Sequence, residues 1–154
     1  SVNHLGSRSM CTVHDTYMTH LHVTRRTNNH LAVTYPPRSP HTLRQPHPRC
    51  QYMLTTGIAV SLGTDSLICL DTPDRISLLD ELRYLFKEGC TDPSTLLTMA
   101  TVNGARALGE DTTLLTLEVG SIAGLLAIDS ASRNAFESAM VSTTPPRWIV
   151  PLTP

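Results

Sequence analysis

Residues 51 to 109 alternate a short apolar strand with punctuated helices, and that alternation limits the folds open to this chain more than any other feature. QYMLTTG reads as the end of a helix closed by Gly57, and IAVSLGT reads as a short buried strand ending at a glycine. LDTPDRISLLDELRYLFKEG then carries the marks of a helix: Asp71 or Thr72 as cap, Pro73 in the first turn, and Gly89 past the end. Ile76, Leu79, Leu82 and Phe86 recur along it at helical spacing and give it one apolar face. A second helix follows, with Thr91 or Asp92 as cap, Pro93 in its first turn, and Leu96, Leu97, Ala100, Ala107 and Leu108 available for packing before Gly109. LLTLEVGSIAGLLAID has strand character, and SAMVSTTPPRWIVPL reads as a strand pair around Pro145-Pro146. Strand, helix, strand, helix and then strands predicts an α/β fold with parallel strands and a small β appendage.

The first fifty residues are of another kind. They hold all seven histidines, five of the eleven prolines, and six arginines against the single acid Asp15, whereas residues 51–154 hold six basic and twelve acidic residues. MCTVHDTYM and HLAVTY are short strand-like runs separated by RRTNN, and PPRSPHTLRQPHPR after them reads as loop, because proline lacks the amide donor and fixes φ. The arginines raise the option of phosphate contacts, but there is no lysine, few aromatics and no nucleic-acid motif. A small protein holding metal or nucleic acid on a His/Arg-rich arm therefore ranks behind a pocketed enzyme.

At 154 residues and 40% apolar content the chain suits one domain. No apolar run approaches the roughly 20 residues of a membrane span, and the N-terminus lacks the regions of a signal peptide, so a soluble protein is expected. Cys11, Cys50, Cys69 and Cys90 show no CxxC spacing, which predicts reduced thiols in a cytoplasmic protein. Cys69 and Cys90 are expected to pack as small apolar residues; a Cys11–His14 nucleophile has no motif behind it.

Asp65, in GIAVSLGTDS, is the leading candidate for chemistry, since functional groups in parallel α/β folds gather where strands give way to loops at their C-terminal ends. The plainer reading of an Asp after Gly-Thr is a turn former bonding nearby amides.

The wider pattern favours chemistry. GIAVSLGTDS, LLDELRYLF, LLTMATVNGARALG and LLTLEVGSIAGLLAID, in that order, resemble the C-terminal third of the amidohydrolase superfamily, in its branch of metal-dependent deaminases and chlorohydrolases. ATVNGARALG at residues 100–109 matches that branch's helix motif, and Leu117-Glu118-Val119-Gly120 matches its turn. Upstream, TVHDTYMT resembles the strand-six His segment and HLAVTYPPRS the segment one strand later, with Pro36 where the family often has Cys.

The resemblance implies a partial (β/α)8 barrel of the TIM type, about its last three strand–helix units, with a C-terminal β-strand appendage. Residues 1–112 would be the barrel part, with 1–50 poorly defined, and residues 113–154 a sandwich-like appendage. His14 would end strand six, Arg38 and Ser39 follow strand seven, and Asp65 end strand eight. It further implies a divalent metal, zinc first and iron also suited, with Asp65 as ligand and proton carrier, His14 polarising the attacking water, and Arg38, Ser39 and Ser66 toward a small ring-amine substrate.

Two departures bear on activity. The His-x-His of the first barrel strand and the His of the fifth do not occur in the expected order; His20-Leu21-His22 has the spelling but follows His14, and reads as a surface pair. Gly124 stands where the family usually has Asp. A barrel needs eight units and about 250 residues, so a truncated, inactive hydrolase portion is a second reading. Its uncovered strand edges and faces would favour self-association.

Overall fold

The computed structural model describes residues 11–12, 22–27, 30–39, 50–67, 70, 72, 74–117, 119, 124–130 and 132–150. Strands β1 (Cys11–Thr12), β2 (His22–Thr27), β3 (His30–Tyr35) and β4 (Ala59–Leu62) form one sheet in that order. β1–β2 and β2–β3 are antiparallel, with a register shift between Val23 and Arg25, whereas β3 and β4 are parallel. The α/β expectation holds, but the all-parallel one narrows to this last pair. RRTNN, expected to separate two strands, instead contributes Arg25, Arg26 and Thr27 to β2. Among the described residues the sheet is open, not a closed barrel.

One face of the parallel pair packs the core. Side chains alternate along a strand, so Val33 and Tyr35 on β3 and Val60 and Leu62 on β4 share a face, all buried. Thr34 and Ser61 lie on the other face, joined hydroxyl to hydroxyl at 2.9 Å. Gly63 extends β4 past Leu62 with its N–H donating to the Tyr35 carbonyl at 3.1 Å. A β-carbon there would lie 2.8 Å from Thr34 Cγ2, so the close approach requires glycine.

Helices cover the apolar face. α1 (Cys50–Thr55) ends at Gly57, whose φ of 75° turns the chain into β4. α2 (Leu78–Lys87) sets Asp80 and Glu81 in its first turn and Lys87 in its last, in accord with the helix dipole. It begins at Ser77, later than the expected cap at Asp71 or Thr72. The Thr72 hydroxyl is engaged elsewhere, accepting from Arg38 Nη1 at 3.1 Å and donating to the Arg75 carbonyl at 3.3 Å.

Asp92 caps α3 (Pro93–Ala100), as the sequence suggests, accepting from the Ser94 and Thr95 amides at 3.0 Å each. The Thr95 hydroxyl, ahead of these amides, holds the Asp92 carboxyl below its ordinary range. The expected single helix to Gly109 is two, α3 and α4 (Val102–Leu108), broken at Thr101. Thr101 Oγ1 bonds the Leu97 carbonyl at 2.7 Å, a local bond that competes with regular helix. Gly109, at φ 80°, closes α4 in the left-handed conformation.

Of LLTLEVGSIAGLLAID, expected as strand, Leu114 and Leu115 lie in a 3₁₀ turn (Thr112–Leu115) and only β5 (Leu125–Ala127) is strand among the described residues; it pairs antiparallel with β6 (Arg147–Val150). The segment SAMVS, expected as strand, lies mostly in α5 (Ala135–Val141), capped by the Asn134 side chain. Its Met140 joins the core with Leu82, Leu85, Leu96 and Met99. Burying a side chain such as Leu96 or Met99, both 0% exposed, stabilises by about 1.5–3 kcal/mol.

The expectation of reduced thiols is corrected for two of the four cysteines. Cys50 and Cys90 are joined as a disulfide, with Cα atoms 6.2 Å apart across 40 residues. Their spacing in sequence gave no sign of it, because α2 brings the chain back beside α1 only once folded. No described helix is long and apolar enough to cross a membrane.

Candidate active site at the strand tips

The C-terminal ends of β3 and β4 bring together Arg38, Ser39 and Asp65. The β3–β4 register pairs Tyr35 with Leu62, so the residues that follow each strand emerge side by side. Pro36 and Pro37, both fully buried, carry the chain from β3 into Arg38 and Ser39.

Ser39 is completely buried, and its Oγ donates to Asp65 Oδ2 at 2.7 Å. The other carboxylate oxygen, Oδ1, accepts from the Ser66 backbone N–H at 2.8 Å. Asp65 is exposed, and its φ of 55° is left-handed, which is uncommon for a residue with a β-carbon. The turn-forming reading holds, since the carboxylate bonds the next amide, and the same carboxylate stands open to solvent at a strand tip.

Arg38 is buried on a different set of partners. Its Nε donates to Glu81 Oε1 at 2.7 Å and its backbone N–H to Glu81 Oε2 at 3.1 Å, so both oxygens of one carboxylate hold one residue. Glu81 itself is 0% exposed. A charge in that position requires a charged partner and hydrogen bonds to offset its desolvation. The geometry therefore turns the Arg38 side chain toward α2, where it anchors the loop that presents Ser39.

Glu81 was not singled out from sequence. The signal available was an acid in the first helical turn, which reads equally as a dipole-complementing surface residue. Behind the tips, Tyr35 is 3% exposed, and burial, with added repulsion from Tyr84, Glu81 and Glu88, pushes its phenol up to about 12.

Among the other predicted site residues, Ser66 follows Asp65 at the exposed tip. His14 and His20 lie outside the described residues, and His22 begins β2. Asp65 offers a metal one carboxylate, but among the described residues no group of three or more His, Cys, Asp or Glu gathers to hold an ion. The described residues do not by themselves fit a metal centre. A groove of about 440 Å³, lined by Leu62, Leu78, Ala100, Gly104, Leu108 and Leu114, has none of the tip residues Arg38, Ser39, Asp65 and Ser66 in its walls.

The chain belongs to the amidohydrolase family, whose model matches residues 2–152. It is 37% identical over 82 residues to a 5-methylthioadenosine/S-adenosylhomocysteine deaminase of Syntrophobacter fumaroxidans, covering 50% of this chain and 19% of that one. It is 28% identical over 142 residues to a 5'-deoxyadenosine deaminase of Methanobrevibacter smithii, covering 87% of this chain and 32% of that one. An S-triazine hydrolase of Gordonia rubripertincta shares 32% identity over 82 residues, 50% of this chain and 17% of the relative. The chain thus spans between about a sixth and a third of the length of these relatives. No solved structure matches it.

Proposed function

We propose that this chain carries the strand-end carboxylate of a metal-dependent hydrolase that deaminates an amino-substituted nitrogen ring. The observation that carries the reading is the Ser39–Asp65 pair at the tips of adjacent parallel strands. Relatives named for deoxyadenosine and methylthioadenosine deamination and for triazine hydrolysis support the same substrate class.

In hydrolytic deamination the oxygen of water bonds to the ring carbon, the carbon–nitrogen bond breaks, and ammonia leaves. Asp65 is suited to accept the proton that the water loses and to return it to the departing nitrogen. Ser39 donates to Oδ2 and the Ser66 amide to Oδ1, so the carboxylate is held in one orientation before substrate arrives. Arg38 serves the reaction by fixing the loop under Ser39, and Ser66 lies next to the substrate. Were a divalent metal bound, zinc first and iron as the alternative, Asp65 would be one of its ligands, the metal would lower the pKa of a water, and His14 would hydrogen-bond that water.

The test is ammonia release from a 5'-deoxyadenosine-type and a triazine amine by the zinc-supplied chain, beside metal content per chain. The expected result is turnover that falls by about 10²–10⁴ in Asp65→Asn. Absence of both turnover and bound metal would overturn the autonomous enzyme. It would favour the second reading, for which the open sheet and the short span relative to the relatives speak: an amidohydrolase portion inactive alone, associating through its uncovered edges. Cytoplasmic placement rested on reduced thiols, and the Cys50–Cys90 pair removes that support.

A further inference from the structure

Cys50 opens α1 and is buried, whereas Cys90 lies in the turn joining α2 to α3 and is half-buried. Their Cα separation of 6.2 Å falls inside the range that a disulfide spans without moving the backbone. The loop this bond closes contains β4, Asp65 and Glu81. Each anchor is short. The Ile58 amide, at the entrance to β4, bonds the Met53 carbonyl of α1 at 3.2 Å, so the helix that Cys50 opens is tied to the start of the strand that leads to Asp65. The Cys90 amide bonds the Leu85 carbonyl at 3.0 Å, one helical turn beyond Glu81. The disulfide therefore ties α1, which precedes the strand leading to Asp65, to the turn that follows the helix clamping Arg38.

We propose that Cys50 and Cys90 form a reversible redox clasp, opened and closed by exchange with a low-molecular-weight thiol and its disulfide, glutathione serving as the probe. In closing, the more accessible Cys90 loses its proton to solvent and its thiolate attacks one sulfur of glutathione disulfide, releasing one glutathione thiolate. Cys50, deprotonated in turn, attacks the Cys90 sulfur of the mixed disulfide, forms the intramolecular bond and releases the second glutathione thiolate. Two protein thiols are oxidised to one disulfide, and one glutathione disulfide is reduced to two thiols. The reverse sequence opens the clasp. The closed form stiffens the loop that presents Asp65; this holds whether or not the chain is a deaminase.

The experiment equilibrates the full chain in glutathione buffers from fully reduced to fully oxidised, alkylates free thiols, and maps the cysteines by peptide mass. Amide hydrogen exchange of residues 59–66 is followed in the same samples. A Cys50–Cys90 linkage that forms and disappears reversibly is expected, with exchange in 59–66 about fivefold slower when it is closed. Cys50→Ser and Cys90→Ser should show the fast exchange at every ratio. The wild-type chain in its two redox states makes the same comparison without any substitution. Failure to link at any ratio, linkage to Cys11 or Cys69 instead, a bond that does not reverse, or equal exchange in the two states overturns the proposal.

Discussion

The strand tips and the flank from Leu115 to Val119 treat burial in opposite ways. At the tips, polar and charged groups go inside, and their hydrogen bonds reach residues 26 to 43 positions away in sequence. Along the flank, Leu117 and Val119 remain 85% and 109% exposed. The tips show what this chain completes by itself: a clamp whose buried charges depend on each other. The flank shows what it leaves open, an apolar surface with little to lose by substitution. Of these two regions, the polar site should therefore be the more sensitive to substitution, because breaking a buried pair leaves a charge without its partner.

Glu81→Ala is the most severe test of that contrast, because it leaves the Arg38 guanidinium buried without its carboxylate. A loss of about 3–5 kcal/mol is expected in urea denaturation; a loss under about 1 kcal/mol would erase the difference between the regions.

Alkaline titration probes the floor of the same site. Tyr35 keeps its proton to about 12 when folded, whereas the unfolded phenol ionises near its ordinary value of 10.0. The folded state thus gains nothing from this group below pH 10 and loses stability as pH rises from 10 to about 12, by roughly 2–3 kcal/mol in all. Tyr35→Phe should flatten the stability curve across that window; an unchanged slope would remove Tyr35 from the account.

Ser39→Ala removes one hydrogen bond to a carboxylate, and an expected cost of about 1–2 kcal/mol allows for the exposure of Asp65. Ser39→Thr, which keeps the hydroxyl, should recover part of it. The smallest effect belongs to the flank: Leu117→Ser should change stability by no more than about 0.5 kcal/mol. A drop as large as that of Ser39→Ala would mean that Leu117 packs against something after all.

How much of this was legible beforehand depended on range. The cap at Asp92 and the stops at Gly57, Gly89 and Gly109 follow from a few neighbouring residues, and the structure has each of them; the place of Asp65 just past a strand end is local in the same way. The break at Thr101 and the delayed start of α2 did not, since one depends on a hydroxyl bonding back to Leu97 and the other on Arg38 reaching Thr72. The Ser39–Asp65 and Arg38–Glu81 contacts needed the β3–β4 register, which no local pattern encodes. Glu81 in particular looks, in LLDELRYLF, like any surface acid of an amphipathic helix.

Asn103, inside the ATVNGARALG motif, extends its side-chain amide to the Val60 carbonyl at 2.9 Å. Since Gly63 donates inward to Tyr35, alternation along β4 turns the backbone groups of Val60 and Leu62 away from β3, toward the sheet's outer border. Asn103 thus works as a doorstop on that border. A newcomer sliding alongside β4 would find the Val60 oxygen already occupied and would have to begin its ladder at Leu62. One side-chain amide, outside the proposed chemistry, would dictate by a single step where an added strand could start.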